Sequence, residues 1–426
     1  MSGKGYLPRI ADGLVAEYLA DLPAVAIEGA KAVGKTRTAA RLARTVFSLA
    51  RSAVVENLRG GTDAVVRAAS PVLVDEWQRL PQIWDDIRSW IDEEPVPGRF
   101  LLTGSAAPRG VALHSGAGRI ASIRMRPLSL AERGLGSPSV SLTSLLAETT
   151  QVAGATEVGL ADYVREITGS GFPAIRALAS ARARSRALDG YLEAVVHKQF
   201  PELGLLVRKP ASLLAWLRGY ALATSSTSAY TSILDAATPG QADKPSKSAT
   251  LAYRDALASL WLIDPVPAWE PLVDGPGTPL VTGPKHHLAD PALAARLLSL
   301  DAEDLVAGGG PPAIGPQTGT VLGRLFESLV TMSVRTYAHA ANAQVRHLRT
   351  ANGKHEVDLL VERGDTIVAV EVKLAAAITG SDGRHLHWLE RALPTRRIVK
   401  VFVNTGPWAY TREDGVHVVP AALLGP

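Results

Sequence analysis

Over roughly the first 130 positions, short apolar runs alternate with stretches whose apolar residues recur every three or four places. "AVAIEG" (24–29), "AVVENL" (53–58), "PVLVDE" (71–76) and "RFLLTGS" (99–105) are the runs, and "KTRTAARLARTVFSLA" (35–50) and "IWDDIRSWIDE" (83–93) read as helices. Runs buried on both faces and separated by helices predict a parallel α/β sheet. From about 130 to 300 the pattern turns mainly helical, clearest in "YLEAVVHKQF", "LLAWLRGYALA", "AYTSILDAA" and "SATLAYRDALASLWLI". A Gly/Pro cluster, "VAGGGPPAIGPQTGT" (306–320), then reads as a linker. Beyond it a helix, "LGRLFESLVTMSVRTYAHA", leads into strands "VRHLRT", "HEVDLLVE", "TIVAVEVK" and "RIVKVFVNT", with a helical stretch before the last. The boundaries predict three domains, at 1–130, 131–305 and 320–426.

Length agrees, because 426 residues exceed one ordinary core. An apolar share of 46% with 20% charged residues gives enough apolar surface for packed cores. With no cysteine, disulfides, thiolate metal sites and cysteine nucleophiles are excluded. No stretch resembles a signal peptide or a membrane span, so a cytoplasmic protein is expected. A net charge of +4 tolerates a polyanionic partner without requiring one.

"GAKAVGKT" (29–36) fits G-x-x-x-x-G-K-[ST] and lies between a predicted strand and a predicted helix. Glycines at 29 and 34 let backbone N–H groups turn around phosphates, and the helix N-terminus favours the same anion. The nucleotide contacts expected are Gly29, Ala30, Lys31, Ala32, Val33, Gly34, Lys35, Thr36 and Arg37. Lys35 is expected to bridge the β and γ phosphates and Thr36 to hold Mg²⁺. Forty residues after Lys35, the apolar run "PVLVDE" ends in Asp75, a second Mg²⁺ ligand, and Glu76, a general base for the attacking water. Thr103 and Ser105 are placed to sense the γ phosphate, although turn formation explains them equally. Arg119, Arg124 and Arg126 are candidates for an arginine finger, with Arg119 as the catalytic candidate, against the plainer reading of surface arginines. No N-K-x-D motif follows, so ATP is expected rather than GTP.

These motifs, with "VLVDEWQRLPQIW", "FLLTGSA", "AGRI", "RPLSLAE", "GSGFPAIRAL", "GYLEAVVHKQF", "KSATLAYRDALASLWLID", "EVDLLVE" and "VEVK", run in order along nearly the whole chain. The chain thereby resembles AAA-type P-loop ATPases of bacteria and archaea that carry a C-terminal restriction-endonuclease-like domain of unknown function. The resemblance implies an α/β fold class: an AAA-type P-loop NTPase parallel sheet, a helical or winged-helix middle domain and a restriction-endonuclease-like α/β domain. In the middle domain, residues 247–262 look like a winged-helix third helix, with Leu251, Leu257, Leu260 and Leu262 inward and Lys247, Ser248, Tyr253 and Arg254 outward, followed by a strand and wing. DNA binding and plain helical packing are both open there. Arg182, Arg184 and Arg186 spread around a helix and read as a solvated face.

In a restriction-endonuclease-like site a carboxylate on one strand and E-x-K on the next converge on divalent ions. Asp358, Glu371 and Lys373 have that order, with a short turn between the strands. Alternation puts Glu371 and Lys373 on one face of their strand. Asp358 and Glu371 are expected to ligate Mg²⁺ or Mn²⁺, Lys373 to steady developing charge, and Glu327 on the preceding helix to add a further acidic ligand. The expected function is a Mg²⁺-dependent ATPase, a homo-oligomer if its arginine finger comes from a neighbour, whose nucleotide state controls a C-terminal module directed at DNA or RNA. The alternative is a slow ATP-dependent switch in regulation, defence or a toxin–antitoxin setting, with a C-terminal domain that binds without cleaving.

Overall fold

The computed structural model describes residues 5–105, 118–147, 149, 151–205, 209–238, 247–271, 275–311 and 320–426. The chain divides into two compact units: Met1–Arg126 with His197–Arg208 and Asp255–Leu262, and Pro127–Val196 with Lys209–Arg254 and Ile263–Pro426. Residues 131–305 are therefore shared between the units. Most of the Gly/Pro cluster read as a linker lies outside the described residues, as do the side chains of Lys247 and Ser248.

Strands β1 (Ala24–Glu28), β2 (Thr45–Ser48), β3 (Val72–Asp75), β4 (Phe100–Gly104) and β5 (Ile120–Arg124) make an all-parallel sheet in the first unit, in the order β2-β3-β4-β1-β5. β1, β3 and β4 are almost wholly buried, as their unbroken apolar runs require. The helix Gln82–Glu93 turns Ile83, Ile87 and Ile91, spaced four apart, into the core formed with Val72, Val74, Phe100 and Leu102. "AVVENL", read as an apolar run of the sheet pattern, is helical instead. It belongs to Ser52–Arg59, which buries only Val55 and Leu58, a spacing of three that makes a helical stripe. The strand before β3 is "TVFS", at the end of the stretch read as helix.

Insertion of β4 between β1 and β3 positions the first site. Register pairs Glu28 with Gly104 and Asp75 with Thr103, so the loop after β1 and the carboxylates ending β3 open at one edge of the sheet. This is a P-loop NTPase arrangement.

In the second unit β6 (Val140–Ser141) pairs with β14 (Leu424–Gly425). β7 (Gly154–Ala155), β8 (Gln344–Arg349), β9 (Glu356–Arg363), β10 (Thr366–Val372), β11 (Arg397–Asn404), β12 (Trp408–Thr411) and β13 (His417–Pro420) form a mixed sheet, β7-β12-β13-β11-β10-β9-β8. β10 is antiparallel to β9 and parallel to β11, and the helix Arg384–Ala392 packs Leu386 and Leu389 on Leu360, Ile367, Ala369 and Phe402. The segment read as strand and wing takes a different course. Residues 263–271 and 275–288 lie along the β8 edge as an arm, with bridges Ala268 to His347 and Leu280 to Thr350. The arm's backbone finds partners on β8 that an isolated wing would not offer, and β8 is no longer an open edge. Arg254, expected to face outward, lies 5.3 Å over the Tyr230 ring.

Motifs at 126–132 and 169–178 prove to be packing devices in this unit. Gly171 O accepts from Leu128 N at 2.8 Å. A Cβ on Gly171 would meet Arg133 Nη2 at 2.7 Å, which explains the glycine. Arg133 is buried and shares Glu166 with Arg176, at 3.0 and 2.6 Å. Among the described residues no helix is long and apolar enough to cross a membrane.

Candidate functional site

The β1 sequence ends where the chain must turn sharply. Gly29 has φ +148° and Gly34 φ +109°, with Ala32 also at positive φ. Gly34 precedes the helix Lys35–Leu42, whose N-terminus faces the loop. A Cβ on Gly29 would lie 2.2 Å from the Met125 carbonyl oxygen. We expect Gly29→Ala to cost about 2–3 kcal/mol from strain and this clash, measured as a shift in the unfolding transition of the first unit in urea; an unchanged midpoint would refute the close approach.

Lys35 is almost fully buried, and its Nζ donates to Gly29 O at 2.7 Å, Ala30 O at 2.9 Å and Ser105 Oγ at 3.3 Å. Burial pulls this ammonium down to about 8, opposed by the Glu76 and Asp75 carboxylates. Its hydrogen bonds go to neutral acceptors, so an incoming phosphate offers a stronger partner. Asp75 collects three hydroxyls: Thr36 Oγ1 donates to Oδ1 at 2.6 Å, Thr103 Oγ1 to Oδ1 at 2.7 Å and Ser48 Oγ to Oδ2 at 3.0 Å. Thr36, Asp75, Thr103, Ser105 and Lys35 are thus one connected site. Hydroxyl and carboxylate oxygens suit a hard divalent cation, so this donor set fits Mg²⁺.

Glu76 adopts a left-handed conformation, φ 59°, ψ 45°, unfavourable for a residue with a side chain. Gln78 Nε2 donates to its Oε2 at 2.6 Å. Buried Trp77 packs below, and a Cβ on Gly104 would come 2.6 Å from its Nε1. Packing against Trp77 therefore explains the glycine at 104.

The arginines separate. Arg119 precedes β5 at the end opposite the loop and pairs with Asp92 at 2.6 Å. Arg124, in register with Glu28, lies at the loop end, 4.5 Å over the Trp261 ring. The five positions from Arg119 to Arg124 span about 16 Å along a strand, so Arg119 does not reach the loop of its own chain. Sequence reasoning missed Arg9, whose buried guanidinium donates to Val33 O and Arg126 O, both at 2.7 Å. It also missed Ser48 and Gln78; their polar side chains beside strand ends were the only signal. Lys31 pairs at 2.6 Å with Glu202.

In the second unit Glu327, Asp358, Glu371 and Lys373 do come together, around a side chain the sequence reading did not consider. Lys285 is fully buried, and its Nζ lies 2.9 Å from Glu327 Oε1, 2.9 Å from Asp358 Oδ1 and 3.2 Å from Glu356 Oε1. Asp358 Oδ2 accepts from Val372 N at 2.9 Å, and Lys373 Nζ is 3.6 Å from Glu371 Oε2. Burial and the Asp358 charge push Glu327 up to about 8. Burial also pushes Glu371 well up, whereas Lys285 holds Asp358 below its ordinary value despite burial. Among the described residues no group of three or more His, Asp or Glu is arranged to hold a metal ion. An ammonium thus stands against Glu327 and Asp358, two of the residues expected to ligate a divalent ion.

Three families match successive parts of the chain. A family described as "AAA domain" matches residues 21–133. Residues 21–133 form a P-loop ATPase domain. Two further families, described as domains of unknown function, DUF8612 and DUF4143, match residues 160–304 and 322–424. Similar curated proteins are the uncharacterized proteins Mb2031c of Mycobacterium bovis and Rv2008c of Mycobacterium tuberculosis. Each is 24% identical over 414 residues, covering 94% of this chain and 80% of the relative. A solved structure titled as the Walker-type ATPase paby2304 of Pyrococcus abyssi aligns with TM-score 0.40 and 15% identity, over 68% of this chain and 96% of that one.

Proposed function

We propose that the protein hydrolyses ATP at the Gly29–Thr36 loop. The observation that carries this reading is the convergence of Thr36, Ser48 and Thr103 on the Asp75 carboxylate, beside the buried Lys35 ammonium. Lys35 exchanges its loop carbonyls for the β and γ phosphates, with backbone N–H groups of residues 29–36 completing the cradle. Thr36 and Asp75 would hold Mg²⁺, which when bound neutralises charge on those phosphates. Glu76 orients the attacking water and takes its proton; Thr103 and Ser105 change partners when the γ phosphate leaves. Arg119, on the far side of the sheet from this loop, would serve as an arginine finger only to a neighbouring copy, which makes a homo-oligomer part of the proposal.

Lys35→Ala removes charge-assisted hydrogen bonds worth about 1.5–3 kcal/mol each, so fluorescent-ATP titration is expected to show affinity at least ~100-fold weaker. Full affinity in that variant would reject the site.

For the C-terminal domain the first reading is a restriction-endonuclease-like module acting on DNA or RNA under nucleotide control. The Lys285 contacts favour the second: a module that binds a partner without cleaving, switched by ATP. A nuclease assay with DNA and RNA, Mg²⁺ or Mn²⁺, with and without ATP, separates them. Cleavage abolished by Asp358→Ala or Lys373→Ala supports the first reading, and no cleavage under any condition supports the second.

A further inference from the structure

We propose that the Lys285 ammonium is the resident cation of the acidic centre formed by Glu327, Glu356, Asp358 and Glu371, and that this centre takes a divalent cation only when Lys285 is removed from it. The inference goes beyond the ATPase reading and does not depend on it.

An ammonium has three N–H donors. Here they meet three different carboxylates, those of Glu327, Asp358 and Glu356, at 2.9, 2.9 and 3.2 Å. With the side chain wholly out of solvent, these anions must replace its hydration. Mg²⁺ would demand oxygens at about 2.0–2.1 Å. Its place between Glu327 Oε1 and Asp358 Oδ1 is the place Nζ fills, and two cations sharing those oxygens would repel. Glu371 completes the argument. Its residue is 5% exposed, and among the described residues its Oε1 has no hydrogen-bond partner. The centre therefore holds one carboxylate, Glu371, that faces Lys373 rather than pairing with Lys285.

Lys285 is also fixed through its backbone. Its N–H donates to Val266 O at 2.9 Å and its carbonyl accepts from Val266 N at 2.8 Å. The arm carrying both is joined to β8 by Trp269 N to His347 O and Val281 N to Arg349 O, each 2.8 Å. Side-chain rotation alone does not lead Lys285 out, since the strand around it is paired and its neighbours His286 and His287 are buried. Access for a metal ion would require the paired residues 266–269 and 280–285 to leave the β8 edge.

The test is Mn²⁺ binding by the full chain without nucleotide, followed by the electron paramagnetic resonance signal of free Mn²⁺. Wild type and Glu371→Gln are expected to bind alike, with no site that the substitution removes. Lys285→Met is expected to gain a Mn²⁺ site at least tenfold tighter than any in wild type. Glu371→Gln in that background should weaken it, and Mn²⁺ should raise the melting temperature of Lys285→Met but not of wild type. A tight wild-type site abolished by Glu371→Gln would overturn the proposal, as would a folded Lys285→Met protein that gains none. Should Lys285→Met fail to fold, Lys285→Gln takes its place, and the comparison of wild type with Glu371→Gln decides without any lysine substitution.

Discussion

Glu76→Gln is expected to lower ATP turnover by about 10²–10⁴-fold, the usual contribution of a positioned general base, while Mg·ATP affinity stays within about threefold of wild type. Two features of the residue single it out from its neighbour. Asp75 is saturated with hydroxyl donors from Thr36, Ser48 and Thr103, an arrangement suited to holding a ligand set rather than abstracting a proton. Glu76 follows it in a left-handed conformation that costs energy. The amide swap keeps shape and the capacity to bond Gln78, but an amide cannot accept a proton. Single-turnover hydrolysis with a parallel nucleotide titration checks the split. Unchanged hydrolysis in Glu76→Gln would remove the residue from the chemistry, and a loss of affinity equal to the loss of rate would make it a binding group. The Gln78 hydrogen bond at 2.6 Å adds a graded companion. Its removal should slow turnover far less than removal of Glu76 itself.

The first site was legible in sequence because its determinants are local. A glycine-rich turn, the lysine and threonine after it, and a buried run ending in acids are each fixed by backbone needs within a few residues. What escaped were partners brought in by topology. Arg9 reaches Val33 from the cap before a preceding helix, and Ser48 reaches Asp75 because β2 pairs with β3 in register. Arg119 lies at the other end of β5 from the nucleotide loop, a placement that its sequence neighbourhood left open. In the C-terminal domain the alternation along β10 correctly joined Glu371 and Lys373, and the hairpin brought Asp358 beside them. Lys285 was invisible. It lies in a segment without a clear period, 42 residues before Glu327 and 73 before Asp358, and only the arm's pairing along β8 delivers it. β12, β13 and β14 went unread as well, being two to four residues long with no sustained alternation.

Lys285→Met should destabilise the second unit by about 3–5 kcal/mol, the range seen when one partner of a buried ion pair is removed. Methionine keeps nearly the volume and flexibility of the lysine stem, so the cost is not a cavity. It arises because Asp358 and Glu327 stay buried facing each other after their shared cation is gone. Glu356, part-exposed and 3.5 Å from Arg349, should suffer less. The mechanism has a signature that loss of packing would not share. Asp358→Asn introduced into Lys285→Met removes a charge that no longer has a counter-ion, and should restore about 1–2 kcal/mol even though Asp358→Asn alone destabilises. Urea unfolding of the four members of this cycle measures the coupling. A Lys285→Met protein within about 1 kcal/mol of wild type would mean the ammonium is not the element that makes this acidic centre tolerable. Additive losses in the double variant would point to packing around residue 285 instead. A positive coupling means that the charge which makes Lys285 necessary resides on Asp358, and the same reasoning predicts that a divalent ion offered to Lys285→Met recovers stability that wild type, already supplied with its cation, cannot gain.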